Sequence, residues 1–133
     1  MGDRANFGFT QPNGHTIVLY GHWAGGGMLQ QLAMAVQQAE PRWEDPAYAT
    51  RIVISQLINT DWNQELGWGL HVNEIGDNEH KIPVINWEKK TFSLHREAPF
   101  QDDNTVKGMT EEPIFTMSLD AFCKKYADDL VSV

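Results

Sequence analysis

The sequence predicts a single α+β domain in which helices pack on one antiparallel sheet. Three observations predict it. Two strand-like runs at the start flank a Pro-Asn-Gly turn, two amphipathic helical stretches follow before residue 60, and from Leu66 the apolar period falls from 3.6 to two. The expected order is β-β-α-α-β-β-β-(β)-α over residues 1–133, with no repeat and no linker. At 133 residues, 41% apolar and 21% charged, the chain can bury a real core.

Ala5 to Gln11 and Thr16 to Trp23 read as a hairpin pair, because Asn13-Gly14 tolerates the positive φ of a type I′ turn. That two-residue loop sets Phe9 opposite Val18, Phe7 opposite Tyr20 and Ala5 opposite His22 on one face. Arg4, Asn6, Gly8 and Trp23 then fall on the other. After the glycines, Met28, Leu29, Leu32, Ala35, Val36 and Ala39 recur at helical spacing, with Gln30, Gln31, Gln37 and Gln38 opposite and Pro41 as the stop. The uncharged glutamine face predicts a contact with another subunit, hence a homo-oligomer.

Asp45-Pro46 begins a second helix, an N-cap oxygen followed by proline at the first helical position. Ile52, Val53, Ile54, Leu57 and Ile58 make it apolar nearly all round, and Arg51 shares a stripe with Ala47, Ile54 and Ile58. A charge there needs a partner, either Glu65 or Glu79 or an anionic ligand. Trp68, Leu70 and Val72 then alternate with Gly67, Gly69, His71 and Asn73. Gly76-Asp77-Asn78 turns the chain and Lys81 to Trp87 returns, with Pro83 suited to an edge or a bulge. Thr91 to His95 adds a strand. Residues 97–113 read as a mobile acidic loop. Ile114 to Met117 forms a short strand, and Ser118 caps a last helix with Leu119, Phe122, Tyr126 and Leu130 on one stripe.

A net charge of −8 and a pI near 4.9 disfavour a binder of duplex nucleic acid, and the acids are too scattered to imitate DNA well. The single cysteine, Cys123, cannot close an internal disulfide, which predicts a reducing compartment. No signal-peptide pattern or membrane span is visible, so a soluble, cytoplasmic protein is expected.

Glycines 25, 26 and 27 lie between a strand and a helix, where free amides and the positive end of the helix dipole can receive an anion. The plain alternative is a flexible turn with a glycine cap. Neither a P-loop nor a dinucleotide fingerprint is present. Tyr20, His22 and Trp23 precede the glycines, supplying the aromatic surface that a nucleotide base needs beside phosphate-binding amides. Trp68 stands between Gly67 and Gly69, a strand opened either for a ligand or for a packed ring. Asp77-Asn78-Glu79-His80 is the densest polar cluster. It reads as a solvated turn or as an acid/base or metal site completed by His22 or Asp3. No histidine pair has ligand spacing, so neither a metal nor another cofactor is expected. Ser55 lacks a glycine elbow. His71 and His95 read as ordinary strand positions.

The element order is similar to the first half of the N-terminal-nucleophile hydrolase fold, although Gly2 after Met1 supplies no nucleophile. Six motifs carry a closer resemblance: MGDRAN at 1–6, YGHW at 20–23, RWED at 42–45, YATRI at 48–52, ELGWG at 65–69 and DNEH at 77–80. Together they resemble a family of short uncharacterised proteins encoded by actinobacterial phages, over residues 1 to about 95. Leu66 departs from the threonine frequent at that position in the family. The resemblance implies a phage setting within a host cytoplasm, where small proteins sequester or cleave host nucleotide immune signals.

The expected function is therefore non-enzymatic binding of a small nucleotide-derived ligand as a counter-defence protein. Tyr20, His22, Trp23, Gly25, Gly26, Gly27, Arg51 and Trp68 would form the site. One alternative is a phosphodiesterase or related hydrolase using His22, Glu79 and His80. Another is a protein-interaction module that inhibits a host protein.

Overall fold

The computed structural model describes residues 2–99 and 103–127. It contains β1 (Ala5–Thr10), β2 (Thr16–Gly21), α1 (Met28–Gln38), α2 (Pro46–Ile58), β3 (Trp68–Val72), β4 (Ile82–Asn86), β5 (Thr91–His95), β6 (Phe115–Ser118) and α3 (Leu119–Phe122). The class and order are those the sequence predicts: one α+β domain with helices on a six-stranded sheet. Short 3-10 turns follow α1 and α2, and a π turn, Cys123–Ala127, follows α3. Among the described residues, no helix is long and apolar enough to cross a membrane.

The first hairpin differs from expectation by one residue. Gln11 N donates to His15 O at 2.8 Å, Gly14 N donates to Gln11 O at 2.9 Å, and Gly14 has φ of 89°. The loop is thus three residues long, because Pro12 favours the first central position of a turn and Gly14 takes the left-handed bulge that closes it. The register becomes Ala5↔Gly21, Phe7↔Leu19 and Phe9↔Ile17. Ala5, Phe7 and Phe9 still face the helices. Val18 joins a second buried cluster with Ile75, Ile82, Val84, Val106 and Met109 on the opposite face. Tyr20 and His22, two and four residues on, go with Val18 rather than with the phenylalanines.

The sheet order is β3-β2-β1-β4-β5-β6, antiparallel except for the parallel pair β1 and β4. The expected β3/β4 hairpin does not form. Asn6, fully buried on β1, accepts from Gly76 N at 2.9 Å and donates to Asp77 O at 3.0 Å. The segment after β3 is held against the sheet face by these bonds, so the chain passes beneath β2 and β1 before β4 begins. Pro83 sits where pairing with β1, which starts at Val84, has not begun; its missing N–H costs that ladder nothing.

On the helical face, Trp87 donates to the Thr50 hydroxyl at 2.9 Å, Trp43 donates to Val36 O at 2.9 Å, and Phe92 stacks on Phe122 with centroids 4.0 Å apart. The Ser118 hydroxyl accepts from Ala121 N at 3.1 Å, as a cap should. Asp45 precedes α2 without a side-chain cap bond; its carbonyl accepts from Ala49 N instead. Arg51 is exposed, and among the described residues its guanidinium reaches only the Ser55 hydroxyl, at 3.4 Å, and neither Glu65 nor Glu79. Its stripe proves half wet because Ala47 is exposed too. The described part of the predicted loop, 97–99 and 103–113, lies over the second face through bridges Glu97↔Met109 and Glu74↔Lys107, burying Val106 and Met109. Phe100 to Asp102, and Leu130 of the last predicted stripe, lie outside the described residues.

Candidate functional site

The site forms where the start of β1, the end of β2 and the segment before β4 meet at the first turn of α1. The hairpin pairing continues past β1, so that Asp3 N donates to His22 O at 2.8 Å and Gly25 N donates to Asp3 O at 3.0 Å. From the other side, Glu79 N donates to Arg4 O at 2.9 Å and Arg4 N donates to a Glu79 carboxylate oxygen at 2.8 Å. This reciprocal hook fixes the next residue, His80, whose Nε2 lies 2.5 Å from Asp3 Oδ1. Arg4 Nε is buried beside the hook, with no hydrogen-bond partner among the described residues.

The glycines acquire a structural reason here. A Cβ on Gly25 would stand 2.0 Å from His80 Nε2 and 2.4 Å from Asp3 Oδ1. Gly25 is buried beneath the Asp–His pair, and its amide is already used. Gly26 and Gly27 are exposed, and Gly27 enters α1 with φ of 66°, a left-handed conformation that favours glycine. A phosphate placed on this turn would meet the Asp3 carboxylate, so the turn is a poorer anion cradle than its sequence suggests.

Beside it lies a larger feature. A groove of about 840 Å³ is lined by Met28 and Leu29 of α1, by Asn78, Glu79, His80 and Lys81, and by Leu94, Arg96 and Glu97. Its floor is apolar and its rim carries Lys81, Arg96 and His80 against two glutamates. Asn78 Nδ2 donates to Glu97 Oε1 at 3.2 Å, tying the two rims together. On a chain of net charge −8, this groove sets Lys81 and Arg96 against Glu79 and Glu97 in equal number.

The aromatic residues make a second concavity. The Tyr20 hydroxyl lies 2.9 Å from His22 Nδ1, and the His22 ring meets Trp23 edge-on at 4.3 Å. Trp23 is 65% exposed and packs near Gly67. Tyr20, His22, Trp23, Glu65, Leu66 and Trp68 surround a depression of about 300 Å³. The structure thus brings together Tyr20, His22, Trp23 and Trp68, and places Glu79 and His80 on the groove, with Asp3 behind His80. Arg51 lines neither concavity.

Comparison with protein-family models, curated proteins and solved structures finds no match for this chain. The geometry alone carries the functional argument.

Sequence reasoning missed Lys81, Arg96 and Leu94, whose spacing bears no relation to residues 28 and 29. His95 lies at the end of β5, the ordinary strand position expected of it. That ring is buried; Nδ1 donates to Thr110 O at 2.9 Å, so Nε2 accepts from the Ser93 hydroxyl at 2.9 Å. Burial pushes the His95 pKa below its ordinary value, against smaller raising effects of the Thr110 bond and of Glu111 and Glu112.

Proposed function

We propose that this chain binds a small nucleotide-derived ligand in the groove beside α1 without converting it. The observation that carries the reading is the pairing of an apolar floor, Met28, Leu29 and Leu94, with a rim bearing Lys81, Arg96 and His80. A base needs apolar or aromatic surface and phosphate needs charged or polar donors, and this groove sets the two side by side. Asp3 holds His80 in place at one end of the groove. Trp23 offers a stacking face in the neighbouring depression for a ligand with a second base. In a phage setting, such a protein would act by sequestering a host nucleotide signal.

Calorimetric titration with adenosine monophosphate and with a cyclic dinucleotide tests this. Binding is expected to weaken at least tenfold in Lys81→Ala or Arg96→Ala and to fall as salt rises. Absence of binding to either probe, or affinity untouched by both substitutions, rejects it.

One observation favours a second reading, hydrolysis. An imidazole held by a carboxylate, as His80 is by Asp3, is the arrangement that positions a general base. Incubating substoichiometric protein with excess cyclic dinucleotide separates the two: many equivalents converted, and conversion lost in His80→Ala, would make the chain an enzyme.

A further inference from the structure

We infer that the exposed edge strand β3 is the self-association surface of this protein, pairing with the β3 of a second copy about a two-fold axis centred on Leu70. β3 is one edge of the sheet. Its pairing with β2 fixes which backbone groups remain available. His22 N donates to Gly67 O and Asn73 N donates to Thr16 O, both at 2.8 Å, so the residues at 67, 69, 71 and 73 face β2. The N–H and C=O groups of Trp68, Leu70 and Val72 therefore point away from the sheet. An antiparallel partner centred on Leu70 sets Leu70 against Leu70 and Trp68 against Val72. No other two-fold register pairs all three outward residues of the strand at once.

The side chains favour the same arrangement. Leu70 and Val72 are each 64% exposed, although they lie on the helical face opposite Leu19 and Ile17, because no helix among the described residues extends over the β3 edge. Across the axis they would cover one another. The edge carries none of the usual devices against pairing: no lysine, no proline and no bulge between residues 68 and 72.

Charge identifies the occupant as a second copy. The chain carries −8, so two copies repel over most of their surfaces. The stretch at 66–73, LGWGLHVN, contains no Asp, Glu, Lys or Arg, and the acids Glu65 and Glu74 stand just outside it. In the Leu70-centred register, Glu74 of one copy falls opposite Leu66 of the other rather than opposite an acid. A partner of opposite charge would find nothing on this strand to recognise, whereas an identical neutral strand finds its complement. The partner's end of β3 would then abut the depression bounded by Trp23, Leu66 and Trp68.

Light scattering on the full chain at tens of micromolar tests the inference. The expected mass is twice the 15.1 kDa of one chain, falling to the single-chain value in the double variant Leu70→Lys, Val72→Lys with an unchanged far-ultraviolet spectrum. Met34→Glu, on the exposed side of α1, should leave the dimer intact. Hydrogen exchange of the wild-type chain gives an independent readout, with the amides of Trp68, Leu70 and Val72 protected at high concentration and unprotected on dilution. A monomer across the range, a dimer that survives the double variant, one that Met34→Glu dissociates, or amides whose exchange ignores concentration would each overturn it.

Discussion

Gly25→Ala is the sharpest probe of the Asp3–His80 pair, because it attacks the pair without altering either member. Gly25 is not among the glycines of positive φ, so alanine can adopt its backbone. The added Cβ would overlap His80 Nε2 and Asp3 Oδ1, which are side-chain ends and can swing toward solvent. Both side chains are only part-buried, so losing their contact costs about 0.2–1 kcal/mol. Restricting the unfolded chain at this position returns about 0.4–1 kcal/mol. The two nearly cancel. At about 4 °C per kcal/mol, the melting temperature should move by no more than about 3 °C. In a His80→Ala background most of the overlap is gone, and Gly25→Ala should become stabilising. Thermal unfolding of the four proteins in this double-mutant cycle reads the coupling directly, expected at about 0.5–1 kcal/mol. Calorimetry with adenosine monophosphate should show weaker binding by Gly25→Ala despite the unchanged stability. A loss above about 3 kcal/mol, or no coupling between positions 25 and 80, would refute the claim that the pair is what requires glycine here.

Three further outcomes follow from the structure. Asn6→Ala should destabilise by about 2–4 kcal/mol in urea unfolding, since it strands Gly76 N and Asp77 O and releases the segment that carries Glu79 and His80. Thr50→Val should cost about 1–3 kcal/mol, because the indole N–H of Trp87, itself almost wholly buried, loses its acceptor. For pH, His95 has a folded pKa below its unfolded one, so the unfolded chain binds the proton first. Its contribution to stability is therefore full above about pH 6.5, the unfolded value, and is lost as pH falls from there through the folded pKa. Urea midpoints should decline over that window in the wild type and decline less in His95→Gln; an equal decline in both would remove His95 as the cause.

What was legible in the sequence, and what was not, follows from the range of each physical signal. Periodicity is local, so every strand and helix could be read in order. Register depended on one loop, and weight given to Asn13-Gly14 over Pro12 moved Val18, Tyr20 and His22 to the wrong face. The β3/β4 error has a different origin. Gly76-Asp77-Asn78 carries turn chemistry, but the bonds that decide its path come from Asn6, seventy residues earlier. Arg51 shares its stripe with apolar residues, yet α2 keeps the side bearing Ala47 and Arg51 in water, which local periodicity does not reveal. Of the site, the aromatic cluster and the Asp77 to His80 segment were visible as motifs. Lys81 and Arg96 were not, because topology alone brings them to the end of α1.

That same topology says why the concavities lie where they do. The helical face is filled by the large core, and the opposite face is covered by the segments after β3 and β5 around Val18, Ile82 and Val84. Polar groups gather at the rim, where neither layer reaches, and also in a hollow of about 360 Å³ on the opposite face lined by Thr10, Thr16, Ser93 and His95. His80, Lys81 and Arg96 line the groove and lie just outside the ends of β4 and β5, and Asp3, just before β1, reaches them through His80. The glycine turn at 25–27 borders that rim from the helix side, where Gly25 serves close packing and Gly27 serves a left-handed backbone. A site built this way depends on the tethers at Asn6 and Arg4, which hold the 76–80 segment in place, more than on the helix end it borders. If that is correct, loosening the segment with Asn6→Ala should weaken binding of adenosine monophosphate even under conditions where α1 and the sheet remain folded by circular dichroism. Retained affinity in a folded Asn6→Ala chain would move the binding surface away from this groove.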